Sequence, residues 1–332
     1  MKIWFVIYLN FKKKFYYYNL KDMSLFKKPN ELKINSTIKM LIYGTPGIGK
    51  STLALSSPNP VLFDFDGGVH RVNGAFQCPT LQVSSWDEVL QGLDEDLSEF
   101  GTIVIDTVGK MLDYMSAYII KNDPKMAMRD GSLSLKGYGA RKTMFVNFVT
   151  KCSMLGKHVV FVAHDREEKD GEMRIVRPEI GGSSAGDLMK ELDLVGYMQA
   201  IGTERHVFWS PQEKFYAKNT CNLPQANKIP VNIDASGNII GQNNFLSLIF
   251  DNYRGYLEKQ AAVGDEYAAL IDLIKESIEC VEDAETANQV AEKIKSFNHI
   301  WDSKIRGGMM LNEKCKSVGL KLNKITKRYE QA

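Results

Sequence analysis

The chain has 332 residues, enough for one large α/β domain and a smaller appendage at about 150 residues per domain. Hydrophobic residues make up 44% and charged residues 25%, and the net charge of +2 excludes a surface that is polycationic or polyanionic throughout. Nucleic-acid contact would therefore have to come from particular basic segments. The five cysteines are scattered without a CxxC pair, which excludes a disulfide framework and a zinc ribbon and suits a reducing cytoplasm.

At the start of the chain, Trp4 to Leu9 is apolar but too short to span a bilayer. Lys12-Lys13-Lys14 follows that run rather than precedes it, and no small-residue cleavage site is evident. A secretory signal is not expected. Two readings stand, a membrane-surface anchor of aromatic and lysine residues or an upstream extension before a natural start at Met23. The second is preferred, with residues 1–30 poorly ordered and no membrane partner.

Ile38 to Tyr43 reads as a short buried strand ending at Gly44, and helical spacing follows from Thr52 to Ser56. Further strands are predicted at Pro60 to Phe65, Thr102 to Ile105 and Lys157 to Ala163. Helices are predicted at Trp86 to Phe100, Lys110 to Lys121 and Gly139 to Leu155. Short apolar strands alternating with amphipathic helices predict an α/β fold, a mostly parallel twisted sheet with helices on both faces. More strands are expected at Leu194 to Ala200, His206 to Ser210 and Lys214 to Ala217. From about Phe245 the pattern is helical, over Tyr267 to Cys280 and Ala284 to Phe297. Gly307-Gly308 breaks it before a last helix carrying Lys314, Lys316, Lys321, Lys324, Lys327 and Arg328. The expected division is a core over 31–250 and a helical region over 251–332.

Gly44-Thr45-Pro46-Gly47-Ile48-Gly49-Lys50-Ser51 matches GxxxxGK[ST] between a strand and a helix. Glycines let the backbone wrap phosphate oxygens with its N–H groups, and the helix that opens at Thr52 adds its positive end. Lys50 supplies a charge for the β- and γ-phosphates and the Ser51 hydroxyl is a Mg²⁺ ligand. A nucleoside triphosphate, ATP, is the expected ligand. Asp106 ends the strand Thr102-Ile103-Val104-Ile105, where a carboxylate orients the Mg²⁺ water shell. Capping of the next helix is compatible with that role. Asp64 and Asp66 end the neighbouring strand two residues apart. Asp66 is a candidate general base, or a cap of the turn before Gly67-Gly68. His164 ends the fourth strand, placed to sense the γ-phosphate or to act as a buried structural histidine.

These landmarks, in this order, resemble the RecA-type core, and within it the small phage-encoded RecA-like, AAA-family ATPases of recombination and single-strand annealing. The resemblance runs from Ile38 to Gln225 and includes Gly181-Gly182-Ser183-Ser184-Ala185-Gly186 leading into Leu192-Asp193-Leu194-Val195. It implies a catalytic set of Lys50, Asp66 and His164, and self-association into a filament or ring. It also implies single-stranded DNA as partner, within the bacterial cytoplasm of a phage host. The first DNA loop would lie between Asn122 and Gly137, with Lys125, Arg129 and Lys136. The second would run from Asp165 to Gly182, with Arg166, Lys169, Arg174 and Arg177. Lys218, in Ala217-Lys218-Asn219-Thr220, matches a lysine that reaches a neighbour's γ-phosphate. The chain departs from the family at His164, where Gln is usual, at Asp66, where Glu is usual, and at Thr220.

The resulting expectation is Mg²⁺-dependent ATP hydrolysis coupled to single-stranded DNA binding. The alternatives are a ring-forming P-loop ATPase acting on a protein, which the helical C-terminal region keeps open, and a nucleotide-binding scaffold without turnover. Taken alone, Arg166-Glu167-Glu168-Lys169-Asp170 is charge-mixed, and such a run commonly means a solvated hairpin.

Overall fold

The computed structural model describes residues 32, 35–171, 173–181 and 184–332. The expectations for residues 1–30, including the start at Met23, and those for Gly182 and Ser183 lie outside the described residues. The chain divides into two compact units, one of them Ser36–Arg254 and the other containing Gly255–Ala332.

In the first unit the chain runs β1 (Lys39–Gly44), α1 (Lys50–Ala54), β2 (Pro60–Asp64), β3 (Thr80–Gln82), α2 (Trp86–Gly92), β4 (Thr102–Asp106), α3 (Val108–Asn122) and α4 (Leu135–Met154). It continues as β5 (His158–Asp170), β6 (Met173–Pro178), α5 (Ser184–Glu191), β7 (Leu194–Ile201), β8 (Glu204–Phe208), β9 (Lys218–Asn219) and β10 (Ala226–Lys228). The main sheet has the order β10-β8-β7-β1-β5-β4-β2-β3, with β6 paired to β5 and β9 to β7. From β7 to β3 every neighbouring pair on this path is parallel, while β8 and β10 join antiparallel at one edge. The expected α/β class, a mostly parallel sheet with helices on both faces, is the one observed.

Alternation along β1 explains why that strand is apolar throughout. Leu41 and Tyr43 enter a core with Trp86 of α2, Met111 of α3 and Phe145 of α4. Met40 and Ile42 face the other way, into a core with Leu53 of α1 and with Leu246 and Phe250. Both faces are covered, so the strand has no solvent side to mark with polar residues.

Several boundaries differ from expectation for local reasons. The helix begun by Ser85, whose side chain accepts from the Glu88 N–H, ends at Gly92 instead of running to Phe100. Helix α4 starts at Leu135, four residues earlier than Gly139, because the Ser134 hydroxyl accepts the Gly137 N–H as an N-cap. Lys136 is therefore helical. The fourth strand continues past His164 to Asp170 and turns back as β6, so the charged stretch is a hairpin. The strand expected at Lys214 to Ala217 is displaced to Lys218–Asn219, where it pairs with β7.

The helix α6 (Phe245–Glu279) starts in the first unit, and the second continues with α7 (Ala284–Ser296), α8 (Ser303–Ser317), β11 (Leu320–Leu322) and β12 (Tyr329–Gln331). Asp283 and Thr286 cap α7 reciprocally. Ile271, Ile274, Ile278, Val290, Ile294 and Leu311 are among its core residues. Two expectations are corrected here. Gly307-Gly308 lies inside α8, where a Cβ on Gly307 would come within 3.3 Å of Ile274 and Ile294 side chains, so the glycine permits close helix packing. The segment holding Lys321 to Arg328 is a β-hairpin rather than helix, since Leu320 and Tyr329 are buried at opposite ends of its two strands.

Candidate functional site

The ends of β1, β2 and β4 lie beside His164, midway along β5, at the carboxyl edge where parallel sheets bind ligands. In the β1–β5 register Gly44 lies opposite His164, and in the β2–β4 register Asp64 lies opposite Asp106. The four positions singled out at separate strand ends are thus brought side by side.

Gly44 is required by its neighbour: a Cβ there would sit 2.6 Å from the Met198 carbonyl oxygen on β7. The loop then turns through Gly47 at φ 80° and Gly49 at φ 99°, left-handed values that glycine alone adopts without strain. Gly49 directly precedes α1, so the loop delivers its amide groups to the start of that helix.

Lys50 is buried, and its ammonium donates to the carbonyls of Gly44 at 2.8 Å and Thr45 at 2.9 Å. A third contact runs to His164 Nδ1 at 3.4 Å. An ammonium has no lone pair to offer, so in a hydrogen bond with Lys50 the Nδ1 is the accepting side. Burial lowers the Lys50 pKa, while Asp106, Asp165 and Asp66 oppose the shift by favouring the charged form.

The Ser51 hydroxyl donates to Asp106 Oδ2 at 2.5 Å. Asp106 is 7% exposed, and burial pushes its carboxyl up to about 6 against the pull of the Ser51 hydrogen bond. The carboxylates of Asp66 and Asp64 raise it further, while Lys50 lowers it. Among the described residues, no lysine or arginine closes on Asp106 as an ion pair. A buried carboxylate beside a hydroxyl, with too little positive charge against it, fits a hard divalent cation. Among the described residues no three or more His, Cys, Asp or Glu side chains gather as an all-protein metal cage.

Asp64, which ends β2, and Asp66, two residues beyond it, divide their work. Asp64 is buried and accepts the Gly68 and Val69 N–H groups at 3.0 Å each, capping the turn. Asp66 is exposed as a residue, but its carboxyl is partly screened from water and titrates above the usual range, from desolvation first and then from Asp64 beside it. The capping alternative falls mainly to Asp64, while Asp66 Oδ1 lies against the same turn, 2.7 Å from where a Cβ on Gly68 would sit, with Arg71 close by.

The candidate DNA residues are more dispersed. Lys125 sits in a short 3-10 turn, Pro124–Met126, with Arg129 and Lys136 exposed beyond it. On the hairpin Arg166 and Arg177 are register partners, and Glu168 bridges both at 2.5 and 2.8 Å. Arg174 pairs with Glu167 at 3.3 Å, and Lys169 is exposed. Lys218 donates to the Met189 and Lys190 carbonyls at 3.0 and 3.4 Å, holding the end of α5. It also lines a cleft of about 440 Å³ with Arg166, Arg177 and Tyr216.

Sequence reasoning missed Arg205. From β8 its Nη1 reaches the Ile48 carbonyl at 3.5 Å, and it would lie 2.5 Å from a Cβ on Gly49. A guanidinium thus rests against the phosphate loop. Nothing around position 205 marks it, because the contact spans 157 residues of chain.

Comparison with known proteins gives a family and a distant structural likeness. The family model described as an AAA domain matches residues 36–221. No curated protein matches the chain. Solved structures that match include the flagellar accessory protein FlaH from Methanocaldococcus jannaschii. It is 9% identical over 51% of this chain and 75% of that one, with a TM-score of 0.29. No described helix is long and apolar enough to cross a membrane. The matched segment holds the phosphate loop, Asp66, Asp106 and His164, and the chain belongs to the AAA-domain family of P-loop ATPases.

Proposed function

We propose that this protein binds Mg²⁺–ATP at Gly44 to Thr52 and hydrolyses it, with turnover coupled to single-stranded DNA. The observation that carries the ATPase reading is the Ser51–Asp106 pair at 2.5 Å beside the buried Lys50 ammonium. Ser51 would hold the Mg²⁺ directly and Asp106 would orient its water shell, leaving the remaining positions to phosphate and water. The cation neutralises charge on the phosphates. Lys50 donates to the β- and γ-phosphate oxygens, the loop amides hold the phosphate chain, and Asp66 takes the proton from the attacking water. His164 senses the γ-phosphate through its contact with Lys50.

Coupling to DNA rests on the resemblance and on one structural feature in its favour. Strand β5 carries His164 and continues without interruption to Asp170, so the site and the charged hairpin share one rigid element. We assign the ATPase core to residues 31–250, with 251–332 as an appended helical region. In the assembled form Lys218 would reach a neighbouring nucleotide, within a filament or ring that serves recombination or strand annealing in the cytoplasm of a phage-infected host.

The test is ATP turnover with and without single-stranded DNA, at low and moderate salt, for wild type and Lys50→Ala. Stimulation by DNA that disappears in Lys50→Ala is the expected result. Turnover that ignores DNA would remove the coupling, and ATP binding without turnover would favour a scaffold.

A further inference from the structure

The two charged hairpins of this protein differ in how their charge is balanced. Between Asp165 and Arg177 four cations face five acidic residues, and three of the cations are paired to Glu167 or Glu168. Between Glu313 and Glu330 there are six cations, Lys314, Lys316, Lys321, Lys324, Lys327 and Arg328, and no acidic residue at all. With the whole chain at +2, the rest of it carries 2 − 6 = −4. Five of the six cations are exposed, and none makes an ion pair among the described residues. They occupy the last turn of α8 and the β11–β12 hairpin.

Like charges held this close repel one another, and within the hairpin only Glu330, opposite Lys321 in the β11–β12 register, offsets the repulsion. Such a patch is stabilised by a partner that brings dense negative charge and releases its own counterions on binding. A phosphodiester chain, with one charge per nucleotide, meets that requirement. At the hairpin tip Ile325 is 92% exposed and Leu322 is 42% exposed. Neither has anything to offer a phosphate, but an unstacked base presents an apolar face that can cover them. A duplex keeps those faces stacked inside.

We infer that the β11–β12 hairpin is the main nucleic-acid contact of this chain, seating a single strand with phosphates on its lysines and a base against Ile325. The inference shares with the proposed function the identity of the polymer, but it moves the principal contact away from the Asp165–Arg177 hairpin. It requires nothing of the phosphate loop.

The experiment measures binding of a fluorescent oligo-dT to the full chain by anisotropy across a salt series. Three proteins are compared: wild type, Lys321→Gln/Lys324→Gln/Arg328→Gln, and Lys169→Gln/Arg174→Gln. Lys327 is left in place because its backbone is left-handed at φ 57°. The triple variant is expected to bind at least about tenfold more weakly. Its slope of log K against log salt should shrink by about 2, at roughly 0.7 per lost phosphate contact. Its ATP turnover without DNA and its circular-dichroism melt should match wild type. Ile325→Ser should lower affinity without changing the salt slope. Equal binding by wild type and the triple variant, with loss in the Lys169/Arg174 variant, would overturn the inference and leave the proposed function standing. Loss in the triple variant alone would support the inference and remove the core hairpin as a contact. No oligo-dT binding by wild type would overturn both, and patch-dependent binding only to phosphatidylserine vesicles would assign the hairpin to a membrane surface instead.

Discussion

His164 Nδ1 lies 3.4 Å from Lys50 Nζ although 114 residues separate them, because the β1–β5 register sets His164 opposite Gly44. The histidine therefore touches the ammonium assigned to the γ-phosphate while beginning the stretch of β5 that leads into the charged hairpin. His164→Ala should lower turnover by about tenfold and abolish any stimulation by DNA, since it removes an orienting contact and not the charge. His164→Gln, which keeps an acceptor, should recover most of both. Equal stimulation in wild type and His164→Ala would exclude a sensor role.

Asp106→Asn tests the metal side. The substitution keeps the shape and an acceptor for the Ser51 hydroxyl but removes the charge. Turnover at saturating Mg²⁺ should fall at least about 100-fold, because charge stabilisation through the cation is worth several kcal/mol. ATP should still bind, held by the loop amides and Lys50. Folding stability should not fall, since burial disfavours the charge that is lost. A variant that unfolds would show that Asp106 matters for structure more than for metal.

Arg205 is the residue to examine next. Its guanidinium rests on the Ile48 carbonyl, and no carboxylate pairs with it among the described residues. Removing it should loosen the loop and withdraw a cation from the triphosphate. Arg205→Ala is expected to weaken ATP binding about fivefold, read by titration with a fluorescent analogue, with a smaller effect on ADP. Arg205→Lys should restore only part, since ammonium lacks the planar fork. Unchanged affinity would make Arg205 a packing residue.

The parts legible in the sequence were those written locally. The phosphate loop, the strand before it and Asp106 at the end of β4 all follow from patterns within a few residues, whereas β2 closes at Asp64, two residues before Asp66, and β5 runs on past His164. Arg205 was not legible because its meaning depends on β8 folding back beside the loop. Gly307-Gly308 misled for a related reason. A glycine pair in helical sequence argues for a break on local cost, whereas Ile274 and Ile294 supply the packing that makes Gly307 useful. The C-terminal lysines suggested a helix face, yet Leu320 and Leu322 two apart already carried strand alternation.

His158 gives the protein an acid sensitivity apart from the nucleotide chemistry. Its Nδ1 accepts the Ile38 N–H at 3.0 Å, and its ring stacks on Phe250 with centroids 4.4 Å apart. Burial, with Arg254 nearby, holds its pKa down at about 4, while Asp251 pulls it upward. A depressed histidine pKa means that the fold favours the neutral ring. The stabilisation is present in full above the ordinary value near 6.5 and is lost as pH falls towards 4. The loss should reach about 2 kcal/mol, allowing for partial exposure. Urea unfolding at pH 7.5, 6.0 and 4.5 should show the decline, and His158→Gln should flatten it.

The glycine pair in α8 offers a stability test with opposite signs at adjacent positions. A Cβ on Gly307 would press within 3.3 Å of Ile274 and Ile294, while one on Gly308 would meet nothing within 4 Å. Gly307→Ala should cost about 1–2 kcal/mol through overpacking, since neither isoleucine can withdraw without opening the core it shares with Leu311. Gly308→Ala should gain about 0.5–1 kcal/mol from helix propensity alone. The measurement is the urea midpoint of the transition that reports on Trp301 fluorescence, which lies beside Tyr267 in the same unit. Equal effects at the two positions would mean that the glycines are set by the backbone of α8 rather than by its neighbours.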